Sequence, residues 1–415
     1  MSEPLHLFDA FGVELEYMIV DRHRLDVSPI ADKLIKADCG RVEAEIERGP
    51  ISWSNELALH VIEFKTTSPT KQLSGLAEQF QQNVADANAH LERLGGRLLP
   101  SAMHPWMDPF KEMKLWPHEY NEVYEAFDRI FDCRGHGWAN LQSVHLNLPF
   151  HGDEEFGRLH AAVRLMLPLL PGLAASSPIM DGRLSGMLDS RLEVYRTNSR
   201  RVRSVAGDVI PEQAFTREEY DRLIFQPMYA EIAPLDPDGV LQEEFLNARG
   251  AIARFDRGAI EIRVIDIQEC PAADIAVLQT TVAVLRALVD EKWSETSAQR
   301  NVSVERLHAI LCAVIRDGEQ ALITDVEYLQ LFGISDSACL VSDVWKHLVS
   351  VQPPELDAAT RPALELILNQ GPLSRRLTNR IVRSGNADFL ESAKQLYGEL
   401  ADCLTEGRSF NGAMF

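Results

Sequence analysis

The chain has 415 residues, 46% hydrophobic and 25% charged, proportions that allow one large globular domain or two ordinary ones with a substantial core. Its 41 Lys and Arg against 62 Asp and Glu leave a net charge of -21, which argues against nucleic acid and anionic membrane as partners, because those recruit clustered cations. The 6 cysteines are scattered with no CxxC pair, which argues against a disulfide framework and a cysteine zinc site.

Residues 1–9 lack the basic start and apolar core of a signal peptide, and the expected location is cytoplasmic. The next residues, Phe11-Gly-Val-Glu-Leu-Glu-Tyr-Met-Ile-Val20, alternate as a strand. Val13, Leu15, Tyr17 and Ile19 share one face, and Glu14 and Glu16 stand side by side on the other. Glu56-Leu-Ala-Leu-His-Val-Ile-Glu63 is less regular, because a spacing of seven puts Glu56 and Glu63 on opposite faces of an even strand. Either a bulge lies between them or Glu56 sits in the preceding turn near Trp53-Ser54-Asn55. Helical spacing of apolar residues then predicts a helix over 72–94, stopped by Gly95-Gly96. An aromatic-rich stretch at 104–117 reads as an anchored surface loop or a lid.

Ser143-Val-His-Leu-Asn-Leu148 alternates again, with His145 and Asn147 opposite Val144, Leu146 and Leu148. The apolar stretch 159–179 is interrupted by Arg164, Pro168 and Pro171, and reads as a buried helix ending at the prolines rather than a membrane span. Ala259-Ile-Glu-Ile-Arg-Val264 places Glu261 and Arg263 on one face. Beyond Pro271 the pattern turns helical, with helices expected over 272–293, 304–316, 358–368 and 386–404. The expected organisation is a sheet-containing domain over 1–270 and a helical region over 271–415 packed on it, an α+β class.

Each of these strands alone is unremarkable. Together they describe a sheet whose apolar face packs on helices while the other presents oxygen-rich ligands. Such a set suits Mg²⁺ or Mn²⁺ better than zinc. No GxxxxGK[ST] loop and no GxGxxG after a strand is present, so a backbone cradle for phosphate is not encoded.

In order along the chain, Gly12-Val-Glu-Leu-Glu, the Glu56…Glu63 segment, Val144-His-Leu-Asn, Ala175-Ser-Ser-Pro178 and Ile260-Glu-Ile-Arg-Val-Ile-Asp266 resemble the motifs of the glutamate–cysteine ligase and carboxylate–amine ligase family. That resemblance implies a glutamine-synthetase-like fold: a curved antiparallel sheet forming a funnel, with helices outside and a helical C-terminal region. It implies an enzyme that uses ATP and Mg²⁺ (or Mn²⁺) to turn a carboxylate into an acyl phosphate that an amine attacks. Position by position, Glu14, Glu16, Glu56, Glu63, His145 and Glu261 match the family's metal-binding positions. Arg263 matches the arginine facing the transferred phosphate, so Arg263 and Glu63 are the expected catalytic groups. Asn147 is the expected neighbour of the nucleotide or metal. Arg191, Arg200 and Arg201 fall where arginines hold substrate carboxylates. The first strand reads Glu-Leu-Glu where many relatives carry a third acidic residue, which leaves the metal count open.

The implied substrates are small amino acids. The motifs serve phosphoryl transfer and not side-chain choice, so a ligase with a different acid or amine fits them too. A metal-dependent hydrolase and a non-catalytic binding protein are the readings from other classes. The identity of the acid and the amine, and any homo-oligomer, are left open.

Overall fold

The computed structural model describes residues 4–384 and 388–412. Its strands, in chain order, are β1 (Gly12–Asp21), β2 (Glu45–Arg48), β3 (Ile51–Asn55), β4 (Val61–Thr66), β5 (Gly96–Leu99), β6 (Ser143–Pro149), the short pair β7 (Ile179–Met180) and β8 (Arg183–Leu184), then β9 (Ala251–Arg254), β10 (Ala259–Asp266) and a second short pair, β11 (Leu322–Ile323) and β12 (Cys339–Leu340). An 8-stranded antiparallel sheet runs in the order β2-β3-β4-β1-β6-β10-β9, and β5 pairs with β1 as well. The two end strands do not pair with each other, so the sheet is open.

The alternation read in β1 holds. Val13, Leu15, Tyr17 and Ile19 are fully buried and share one core with Ile62 and Phe64 of β4, Leu146 of β6 and Ile262 of β10. Helices Leu76–Arg93 and Pro271–Val289 supply the opposing surface, through Phe80, Val84, Val277 and Val284 among others. Pro271–Val289 is, among the described residues, the one helix long and apolar enough to cross a membrane, and it is buried inside the molecule. Met18 and Val20 lie on the other face of β1 and enter a second core with Leu373, Leu377, Tyr397 and Leu400. One face of β1 is therefore polar at its start and apolar at its end, where the C-terminal helices Leu373–Ser384 and Phe389–Glu406 cover it.

Several expected boundaries move for local reasons. The helix expected over 72–94 begins at Leu76, because Gly75 sits at φ 82, outside helical geometry. The helix expected from 272 ends at Val289, followed by Glu291 at φ 55. The one expected over 358–368 runs from Arg361 to Gln370, because the Asp357 carboxylate ties up the N–H groups of Ala359 and Thr360 in a turn. The helix expected from 386 begins at Phe389, capped by Asp388; its first expected residues, 386 and 387, lie outside the described residues. Val341–Val351 and Leu373–Ser384 are helices that the periodicity reading did not single out.

The segment 56–63 is two pieces, not one strand. Glu56 directly follows β3, a turn intervenes, and Glu63 lies in β4. The aromatic stretch fastens that turn: Leu59 N–H donates to Lys114 O at 2.8 Å, and Trp116 N–H to Leu57 O at 2.9 Å. Trp116 is fully buried, and His104 Nε2 donates to Leu25 O at 2.7 Å. The stretch is anchored at both ends.

Candidate active site

Strand register gathers the polar side chains into one patch. On β1, Glu14 lies opposite Lys65 of β4 on one side and His145 of β6 on the other. Glu16 lies opposite Glu63, which in turn lies opposite Ser54 of β3. Asn147 of β6 lies between Gly12 of β1 and Glu261 of β10. Gly12 is a glycine for a reason of space: a Cβ there would stand 3.0 Å from Asn147 Cβ.

Glu14 accepts from His145 Nδ1 at 2.8 Å and from Asn147 Nδ2 at 3.1 Å. Ser143 donates its N–H at 2.7 Å and its hydroxyl at 3.0 Å to Glu16 Oε2. With its proton committed to Glu16, the Ser143 hydroxyl accepts from His145 Nε2, 3.0 Å away. Both ring nitrogens of His145 then donate, which requires the imidazolium form. Glu63 accepts from the Ser54 hydroxyl at 2.7 Å, with Lys65 Nζ 3.3 Å away. Ligand atoms of Glu14, Glu63 and His145 lie within 4.8 Å of one another, as do those of Glu16, Glu56 and Glu63. Glu63 belongs to both groups, so the patch can hold cations at adjoining positions. Glu261 sits at the edge, 3.9 Å from His145 Nδ1.

Crowded carboxylates in a poorly hydrated patch shift one another's protonation. Burial and the charge of Glu16 push Glu56 up to about 7. Burial, with Glu14 and Glu56 beside it, raises Glu63 well above the usual carboxylate range, despite Lys65 and Ser54. Burial works against Glu14 too, but the hydrogen bond and charge of His145 outweigh it and hold Glu14 at about 2. Burial would lower His145, yet Glu14 and Glu16 raise it to about 9.

Strand β10 bulges in the middle of the patch. Ile262 pairs with Leu146 and Ile265 with Val144, so Arg263 and Val264 together face His145. The extra residue reverses the alternation. Without it, Asp266 would stand on the core side with Ile260 and Ile262; with it, Asp266 reaches Arg191. Both partners of that pair are almost completely buried, and Asp266 also accepts from Ser176 N–H at 2.8 Å and the Ser177 hydroxyl at 3.0 Å. This explains the Ala175-Ser-Ser-Pro178 motif: its serines complete the coordination of Asp266. Arg191 in turn donates to the carbonyl of Arg263 from both terminal nitrogens at 3.3 Å. Arg263 Nε lies 3.0 Å from Glu261 Oε1 without hydrogen-bond alignment, which leaves much of its guanidinium free to meet a ligand.

The structure thus brings together Glu14, Glu16, Glu56, Glu63, His145, Asn147, Glu261, Arg263 and Arg191. It does not bring Arg200 and Arg201 to the patch. Both are exposed: Arg201 donates to Ile130 O at 2.7 Å, and Arg200 borders a separate surface cavity with Arg203 and His308. Helix Ser190–Asn198 accounts for the difference, because Arg191, Tyr195 and Asn198 recur at helical spacing on the face that lines the patch cavity. Ser143, Ser54 and Lys65 were missed by the sequence reading. Ser143 and Lys65 sit two residues from His145 and Glu63, so alternation alone places them on the same face. The aromatic side chains of the cavity, Tyr124, Phe127, Trp138 and Phe245, carried no local signal.

A model of glutamate–cysteine ligase family 2 matches residues 10–323. An uncharacterized protein of Archaeoglobus fulgidus is 38% identical over 280 residues, 68% of this chain and 75% of that one. A protein of Rubrobacter xylanophilus, provisionally named glutamate–cysteine ligase 2-3, is 25% identical over 188 residues, 44% of this chain. That match spans 47% of the Rubrobacter protein, about half its length. The glutamate–cysteine ligase of Francisella tularensis, solved in complex with AMP, superposes with a TM-score of 0.57 at 13% identity, over 94% of this chain and 89% of that one, a likeness of fold.

Proposed function

The chain belongs to glutamate–cysteine ligase family 2, and from that premise we propose that it is an ATP-dependent carboxylate–amine ligase that activates its acid as an acyl phosphate. The observation that carries this reading is the pair of carboxylate groups sharing Glu63, set beside an arginine with free hydrogen-bonding capacity. Donor chemistry fits Mg²⁺ or Mn²⁺: the set is rich in carboxylate oxygens with a single imidazole, and Glu16 and Glu63 lie directly opposed on neighbouring strands. Glu14, Glu63 and His145 would hold one cation, and Glu16, Glu56 and Glu63 another. Bound there, such cations neutralise the charge of the polyphosphate and of the phosphoryl group in transit.

The protein's own groups have separable tasks. In the first step a carboxylate oxygen of the acid bonds to the γ-phosphorus, the bond to the bridging oxygen breaks, and ADP leaves. Arg263 can offer two parallel N–H donors to the oxygens of that phosphoryl group. In the second step the amine nitrogen bonds to the acyl carbon, the bond to the phosphate oxygen breaks, phosphate leaves, and the surplus nitrogen proton passes to solvent. Arg191, tied to Asp266 and to the Arg263 carbonyl, acts as a positioning residue that fixes the backbone from which Arg263 projects.

The test is product analysis. With ATP, Mg²⁺, hydroxylamine and a panel of amino acids as acids, glutamate first, the expected products are ADP and a hydroxamate. AMP and pyrophosphate in their place would assign an adenylate route, and no nucleotide turnover with any acid would remove the ligase reading.

A further inference from the structure

Beside Glu16 and Glu56 opens a cavity of about 240 Å³. Its floor carries both signs of charge, Glu16 and Glu56 against Arg191 and Arg263. Its wall is built differently, from Tyr124, Phe127, Trp138 and Phe245 with Leu57 and Leu246. The rings brace one another: the centroid of Phe127 is 5.3 Å from that of Trp138 and 6.5 Å from that of Phe245. Most polar atoms of the wall are already committed, the Tyr124 O–H proton excepted. Trp138 Nε1 donates to Asn198 O at 3.1 Å, the Asn198 amide donates to Gly137 O at 2.9 Å, and the Tyr124 hydroxyl accepts from Asn55 Nδ2 at 3.0 Å. What the wall has left to offer is chiefly ring surface, and Phe245 remains 37% exposed.

We propose that this cavity receives the amine-bearing substrate, and that the amine carries a large flat apolar group, a phenyl ring or larger, rather than a short thiol side chain. The proposal rests on the ligase reading for the role of the amine, and on the cavity alone for the ring. A head group with an amine finds charges of both signs at the floor, next to the carboxylate patch. A ring reaching outward meets aromatic faces at the offset and edge-on separations of about 4.5–7 Å that such pairs favour. A short side chain would leave the wall wet and forgo that contact. Adenine is the competing occupant, but the edge of a base needs several donors and acceptors, and a wall that offers only the Tyr124 and Tyr195 hydroxyls discriminates poorly in its favour. Among the described residues the buried Tyr195 hydroxyl, like Arg263 Nε, has no hydrogen-bond partner, and its charged neighbours are Arg263 and Arg191 with Glu261 and Glu16. In the joining step the nitrogen of this amine gains the acyl carbon, the carbon–oxygen bond to phosphate breaks, and the surplus proton goes to solvent.

Calorimetric titration of the full chain in Mg²⁺ and saturating ADP tests this, with L-phenylalanine, 2-phenylethylamine, L-cysteine and ethylamine as probes. The ring-bearing probes are expected to bind at least about tenfold tighter than cysteine and ethylamine. Phe245→Ala should remove most of that preference without moving Tm, since the ring is partly exposed; Tyr124→Leu, which keeps the wall apolar, should keep more of it. Equal or tighter binding of cysteine, or no binding of either ring-bearing probe, overturns the proposal. A parallel titration without ADP completes the test: ring binding seen there but lost in saturating ADP overturns the proposal too, and assigns the wall to adenine. The hydroxylamine assay run on the same samples separates the two readings. Ring binding without ADP formation from any acid removes the ligase and keeps the ring site; ADP formation without ring preference does the reverse.

Discussion

Glu16 and Glu63 stand directly opposite each other on the antiparallel neighbours β1 and β4, 8% and 5% exposed. Like charges at facing positions are destabilising, and the more so where water is scarce. Ser143 hydrogen-bonds one carboxylate and Ser54 the other, which orients both without supplying positive charge.

Glu63→Gln should therefore leave the metal-free protein at least as stable as the parent, because it removes a charge that burial disfavours. Lys65 keeps Glu45, 2.8 Å from its Nζ, as a partner. In EDTA the melting temperature should be unchanged or higher. Addition of Mg²⁺ at a hundred times its dissociation constant should stabilise the parent by about 2.7 kcal/mol and the variant by far less. Thermal melts with and without Mg²⁺ check both, and a variant that melts lower in EDTA would mark Glu63 as a structural ion-pair member.

The metal-free protein should lose stability as pH rises from about 5 to about 9. Glu56, raised to about 7, and Glu63, also raised, bind protons in the folded chain that they release when it unfolds, so their contribution falls as pH climbs past the ordinary carboxylate range. His145, raised to about 9, contributes fully below its ordinary 6.5 and loses that contribution as pH rises through about 9. Glu14, lowered to about 2, acts the other way: its contribution is present above 4.5 and lost on the acid side. Divalent cation needs these ligands deprotonated, so it should bind more tightly as pH rises and release protons on binding. Urea unfolding at several pH values, with EDTA and with Mg²⁺, reads both trends; stability rising with pH in EDTA would contradict the assignment.

Arg263→Lys should lower kcat far more than it raises KM for ATP. The bulge and the two hydrogen bonds from Arg191 hold the backbone of residue 263, so the variant changes the head group and little else. Lysine presents a point charge where the guanidinium presents a two-pronged donor. Loss of a comparable transition-state donor lowers turnover about 10²–10³-fold in other enzymes. Steady-state kinetics beside a thermal melt distinguish this from a structural role, in which turnover would persist and Tm would fall.

Asp266→Asn should destabilise the fold by about 3–5 kcal/mol, the range for breaking one half of a buried ion pair. Arg191 would keep its charge at 2% exposure with no carboxylate against its Nε. Urea unfolding of the variant measures this, and a change under about 1 kcal/mol would mean the pair is not held in this form in solution.

The residues of β1, β6 and β10 declare their faces in the sequence itself. Side chains alternate along any extended strand whatever it packs against, so Glu14 with Glu16 and His145 with Asn147 could be assigned to a polar face by counting. The helix Leu76–Arg93 was equally legible, since its apolar spacing follows from 3.6 residues per turn. Lateral order was not legible, because hydrogen bonds between strands say nothing along the chain: only the folded sheet puts Glu63 across from Glu16 and His145 across from Glu14. Nor was the bulge, an unpaired residue whose position depends on what the neighbouring strand offers, and it alone turns Asp266 toward Arg191. Arg191, Arg200 and Arg201 look alike in sequence, and the docking of one short helix sends the first inward and leaves the others outside. The aromatic wall is the extreme case. Tyr124, Trp138 and Phe245 come from separate segments, each apolar enough to belong to any core, and only tertiary packing decided that they would face one cavity.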